Sequence, residues 1–157
     1  MLGLSLNDLA TFVGLVAGVT ALVLGVLNYL RENPKIVIEL QWDMNPVNIP
    51  GYDKNEQIGM IHISNVGRRP IYLSHVALRL PKGFNESHLL LQEGLQGKSV
   101  AEGDAPMIFP VKQEGLGKYA SKWREVRAHV SDSTSKVWLS KKIEKAKVPS
   151  WAVTNES

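Results

Sequence analysis

The sequence predicts a mainly β protein: a single N-terminal transmembrane helix, then an antiparallel β-sandwich of about seven strands. Three observations carry this. Residues 9–30 form an unbroken uncharged stretch. From Lys35 onward, short runs alternate apolar and polar residues between clusters of Gly, Pro, Asn and Ser, the pattern of half-buried strands joined by turns. No long amphipathic helical pattern interrupts them. The 157 residues, 44% hydrophobic and 21% charged, suit one globular domain plus its anchor and exclude a disordered or collagenous chain. With 18 Lys+Arg against 15 Asp+Glu the net charge is +3, too small to point to nucleic acid. The absence of cysteine excludes a disulfide scaffold and thiolate metal sites. The charge is uneven: Asp8 is the sole charged residue of 1–30, so 31–157 hold 18 basic and 14 acidic groups, a net +4.

The uncharged stretch Leu9 to Leu30 would make about 33 Å of helix, against a hydrocarbon core of about 30 Å. A cleaved signal peptide has a basic start and a shorter apolar core; this flank has neither Lys nor Arg. Ser5 and Asp8 stand at capping-box spacing and predict a helix start just before the run. Arg31 and Lys35 follow the span and nothing basic precedes it, so the positive-inside rule places the C-terminal domain in the cytoplasm. The expected organisation is a short extracytoplasmic N-terminus at 1–8, a span at 9–30, a linker at 31–34, the β-sandwich at 35–147 and a flexible tail at 148–157. Within the span Gly14, Gly18, Ala21 and Gly25 recur at steps of four, three and four, and Asn28 extends the same face. Small residues let helix backbones approach closely in lipid, so this stripe predicts self-association or pairing with another membrane protein.

In the domain, Ile36, Ile38, Leu40 and Trp42 alternate with Lys35, Glu39, Gln41 and Asp43, which predicts a strand. Ile58–Ser64 and Ile71–Leu80 read as the arms of a hairpin joined by Asn65-Val66-Gly67-Arg68-Arg69-Pro70. On that register Ile61, Ile63, Tyr72, Val76, Leu78 and Leu80 face inward, and His62 and His75 approach one another on the outside. Leu89–Leu91 and Met107–Val111 are further short apolar runs, and Leu116, Tyr119, Ala120 and Trp123 have the spacing of a short helix. Val126, Ala128 and Val130, then Asp132-Ser133-Thr134-Ser135, then Lys136–Ser140 predict a second hairpin. Several short strands with turn signals between them indicate a sandwich, with a small open barrel as the alternative architecture.

The segment Ile61-His62-Ile63-Ser64-Asn65-Val66-Gly67-Arg68-Arg69-Pro70-Ile71-Tyr72-Leu73 resembles the strand, N-x-G-x-x-P, strand element of immunoglobulin-like sandwich domains. The layout as a whole resembles small bacterial or phage single-pass membrane proteins that carry such a domain after the anchor. The Cys, Trp, Cys pattern of antibody domains is absent. The resemblance implies an interaction module and supplies no ligand.

No catalytic, cofactor-binding or metal residue is assigned. Gln92–Ser99 ends in Gly97-Lys98-Ser99, but Gln92 stands where a phosphate-binding loop needs Gly, and Gly103 and Pro106 interrupt the helix that should follow. His62 and His75 lack a third ligand. Basic residues are more suggestive. Arg31, Lys35, Arg68, Arg69, Lys141, Lys142, Lys145 and Lys147 are candidate contacts for anionic lipid or a partner. The expected function is that of a non-enzymatic binding or regulatory protein tethered to the inner membrane, with an unknown protein partner for its domain, no cofactor and no nucleic acid. Two other classes stay open on the residues alone: a membrane-acting host-exclusion or phage-defence factor, and a membrane-anchored hydrolase or nucleotide-binding enzyme.

Overall fold

A computed structural model describes residues 5–47, 49–92, 95 and 97–153, apart from the side chain of Arg31. Among the described residues one helix, α1 (Leu6–Arg31), is followed by eight strands: β1 (Ile36–Met44), β2 (Ile58–Asn65), β3 (Ile71–Arg79), β4 (His88–Gln92), β5 (Ser99–Val100), β6 (Met107–Lys112), β7 (Arg127–Asp132) and β8 (Val137–Leu139). Two 3-10 segments, Leu116–Glu125 and Ser150–Ala152, complete it. The strands form two antiparallel sheets, one ordered β1-β2-β6 and one β4-β3-β7-β8 with β5 also on β3.

α1 begins as its capping residues require. The Ser5 amide donates to Asp8 Oδ2 at 3.1 Å and the Asp8 amide to Ser5 Oγ at 3.2 Å, so two otherwise orphaned N–H groups are paired. It ends with the Glu32 amide on the Asn28 carbonyl at 3.0 Å, two residues before Pro34, which disfavours helix at the residue before it. At 26 residues the helix is about 39 Å long, sufficient in length and apolarity to cross a membrane. Among the described residues nothing buries its central apolar window.

The β domain buries its apolar residues within itself. Ile36 and Ile38 of β1, Ile61 and Ile63 of β2 and Phe109 and Val111 of β6 share one cluster with Leu73, Val76 and Leu78 of β3 and Ala128 and Val130 of β7. Leu116 and Tyr119 of the first 3-10 segment join it, while no residue of α1 does. β1 keeps the expected alternation, with Ile36 and Ile38 buried and Leu40 and Trp42 half-buried. The second predicted hairpin is formed: β7 and β8 pair antiparallel. Its turn is held by the Asp132 carboxylate, which accepts from the Thr134 and Lys136 amides, each at 2.9 Å.

Four sequence expectations change here. Ile58–Ser64 and Ile71–Leu80 are not a hairpin, because β2 pairs with β1 and β6 whereas β3 pairs with β4, β5 and β7. The turn between them is a corner that carries the chain from one sheet to the other. Asn65 makes it so: its buried amide donates to the Arg69 carbonyl at 2.7 Å and, across 35 positions, to the Val100 carbonyl at 2.8 Å. Tyr72 is outside and 51% exposed, with Ile71 and Leu73 taking the inner positions. An irregularity in the β3–β7 register between Leu73 and His75 then shifts the alternation, so that Val76 and Leu78 point inward again. Finally, the described part of the expected flexible tail, residues 148–153, lies against the domain. Ser150 donates its amide and hydroxyl to the Asp43 carboxylate, and Trp151 sets its ring edge-on to Trp42 at 5.4 Å between centroids. Strand count rises from about seven to eight because β5, two residues long, carries no visible alternation. Residues 1–4 of the expected N-terminal segment and 154–157 of the tail lie outside the described residues.

Candidate functional site

The corner Asn65–Pro70 sits on the exit of α1. The Val66 and Gly67 amides both donate to the Lys35 carbonyl, at 2.9 and 3.1 Å, and Gly67 also donates to its neighbour Asn65 Oδ1 at 2.8 Å. Gly67 is required by the closeness of this approach: a Cβ there would lie 2.8 Å from the Lys35 nitrogen and 2.9 Å from the Asn33 oxygen, nearer than real side chains pack. One recess is lined by Leu30, Asn33, Pro34, Lys35, Val66, Gly67, Arg68 and Glu102. The last apolar turn of the helix and the cationic tip of a domain loop therefore share a surface.

Electrostatics sort the basic candidates into two groups. At the helix exit, Arg69 pairs with Glu32 at 2.8 Å, while Lys35 and Arg68 have no salt bridge among the described residues. The second group lies elsewhere. Lys141, Lys142 and Lys147 flank β1 in a recess with Val37, Ile38, Glu39, Leu40 and Gln41, Lys147 is paired with Glu144 at 3.6 Å, and Lys145 is exposed. The side chain of Arg31 lies outside what is described.

The small-residue face of α1 is open. A Cβ added at Gly14, Gly18 or Gly25 would meet nothing within 4 Å, so among the described residues nothing covers those glycines. Leu22, Leu24 and Leu27 around it are 69%, 56% and 50% exposed.

The histidines fall differently from expectation. His62 and His75 belong to different sheets and do not meet. Instead His88, His75 and His129 form a row on the outer side of the larger sheet, His129 lying 4.7 Å from His88 and 5.7 Å from His75 between ring centroids. Ala77, paired with His129 in the β3–β7 register, is buried. Partial burial holds the His129 pKa below the ordinary histidine value, and the neighbouring His88, His75 and Arg79 push it the same way. This row was hidden in the sequence because it joins three strands that are distant along the chain. Among the described residues no group of three or more His, Asp or Glu has the geometry to hold a metal ion.

The remaining motifs give structural roles. Ser99 and Val100 form β5 rather than the start of a helix, Leu95 is buried, and Glu93, Gly94 and Gln96 lie outside the described residues. Lys118 holds the Glu86 carboxyl below its usual range, at 3.0 Å, and both side chains are about half exposed. Ser150 contacts Asp43 Oδ1 at 2.5 Å and Gln113 Oε1 at 3.1 Å; its single hydroxyl proton serves the nearer, charged acceptor. No protein-family model matches this chain, and no curated protein matches it in sequence.

Proposed function

We propose that this chain is a non-enzymatic, membrane-tethered binding or regulatory protein. Its helix crosses the inner membrane with the N-terminus outside, and its β domain, an immunoglobulin-like sandwich, presents a recognition surface in the cytoplasm. One observation carries the reading: a helix whose apolar side chains are all turned outward is joined through a few residues to a domain whose core closes without it. Water does not tolerate so large an exposed apolar surface, and lipid does. The basic residues after the span support the orientation, and the open Gly14, Gly18, Ala21, Gly25 and Asn28 face supports association with a second copy or another membrane helix.

The test uses the full chain in its membrane. It should resist alkaline carbonate extraction, and protease added to intact spheroplasts should leave the domain whole. Crosslinking in lipid should weaken in Gly18→Leu, which adds bulk to the open face, and persist in Val19→Leu, one position off it. Release by carbonate would refute the anchor, cleavage without lysis would reverse the orientation, and equal crosslinking in both variants would reduce the helix to a tether.

A further inference from the structure

We propose that the helix-exit corner is a binding site for the phosphate headgroups of anionic phospholipids, with Lys35 and Arg68 as its contacting cations. The inference rests on the membrane reading above, and it separates two basic clusters that sequence alone left equal. If α1 spans the bilayer, Leu30 ends the hydrocarbon segment. Arg68 and Lys35 line the same recess as Leu30, so the fold sets them at headgroup depth.

The site is held rigidly. Two backbone hydrogen bonds to the Lys35 carbonyl fasten the turn to the helix exit, the tight fit of Gly67 against Asn33 and Lys35 sets its distance, and Asn65 ties it to β5 through Val100. The charges are also apportioned. Glu32 engages Arg69, which leaves Lys35 and Arg68, both exposed, to face solvent or headgroups; among the described residues Glu102 is the carboxylate on the same recess that opposes them. Val66, 52% exposed beside Arg68, adds an apolar tip. A cation flanked by Leu30 and Val66 suits a phosphate attached to acyl chains better than a soluble anion, because both sides of that boundary are matched. The Lys141, Lys142 and Lys147 group borders β1 rather than the helix, and it serves as the internal control.

The experiment reconstitutes the full chain in phosphatidylcholine bilayers containing a minority of phosphatidylglycerol. Electron paramagnetic resonance then compares the lipid fraction immobilised by the protein for spin-labelled phosphatidylglycerol and phosphatidylcholine. The native chain should prefer phosphatidylglycerol, and Arg68→Ala or Lys35→Ala should each cut that preference by up to about fivefold, the effect expected of one basic residue at an anionic surface. Lys141→Ala/Lys142→Ala should leave it unchanged. Gly67→Ala keeps every charge but displaces the turn, so it should also lower the preference; a preference unchanged by it would contradict the placement argued here. An absent preference, or one indifferent to Arg68→Ala and Lys35→Ala, overturns the inference. Carbonate extraction of the same samples keeps the two claims apart: release from the bilayer sinks the membrane reading and this site with it, whereas retention without lipid preference sinks this site alone.

Discussion

α1 and β2 are both rich in large aliphatic side chains, yet they meet opposite ends. Ile61 and Ile63 of β2 are 0% exposed, while Leu22 and Leu24 of α1 are 69% and 56% exposed. The difference is periodicity. β2 alternates buried and half-buried residues, so a second sheet covers its apolar side and the other side can meet water. α1 is apolar around its whole circumference, and a neighbour on one side would leave the rest uncovered. Two apolar segments of one chain can therefore suit different solvents, and in the proposed arrangement the linker between them marks the change.

The largest way to break this comparison is a matched pair of truncations. Ile63→Ala opens a cavity in the shared core and should cost the domain about 2–5 kcal/mol, read as a lowered midpoint in thermal or denaturant unfolding. Leu22→Ala should leave that midpoint unmoved, because Leu22 is 69% exposed and no residue of α1 belongs to the core cluster. A fall of similar size in both variants would mean that the helix packs on the domain after all.

A smaller effect tests the domain's own closure. Ser150→Ala removes the hydroxyl and Asp43→Ala the carboxylate that fasten the C-terminal strap, and each should cost about 1–2 kcal/mol. Asp43 holds a positive φ of 60°, and alanine tolerates that conformation poorly, so its loss should be the greater. The double variant should cost less than the sum, since the residues share one interaction. Strict additivity would dissolve the strap as a unit.

The smallest effect is a pH dependence confined to the domain. His129 titrates below the ordinary histidine value when folded, so on acidification the unfolded chain takes up its proton first. The stability contributed by neutral His129 is complete above about pH 6.5, the unfolded value, and is lost as the pH falls from there toward the folded pKa. His129→Gln should flatten that slope. An unchanged slope would place the titration elsewhere.

Much of this architecture was legible. The helix could be read from charge alone and its start from Ser5 and Asp8; β1 and the β7–β8 hairpin announced themselves by alternation and by the polar turn Asp132-Ser133-Thr134-Ser135. The β2–β3 corner could not be read, because a short polar turn between two strands resembles a hairpin until the distant partner of Asn65 is known. Tyr72 was misplaced by a register irregularity that no local pattern signals. The basic candidates were visible one by one, whereas their division into a helix-exit pair and a β1 flank depends on how strands far apart in sequence are stacked. The strap is not legible in the sequence because Asp43 and Ser150 are 107 positions apart.

The central claim is that the helix lies in lipid while the β domain stands in water, meeting the bilayer only at the helix-exit corner. Because the chain contains no cysteine, Leu22→Cys and Tyr72→Cys give single reporters for a water-soluble maleimide on opened membrane vesicles. The account predicts that Tyr72→Cys reacts at once and that Leu22→Cys stays unlabelled until detergent or denaturant dissolves the bilayer; equal labelling of the two in intact bilayers would contradict it.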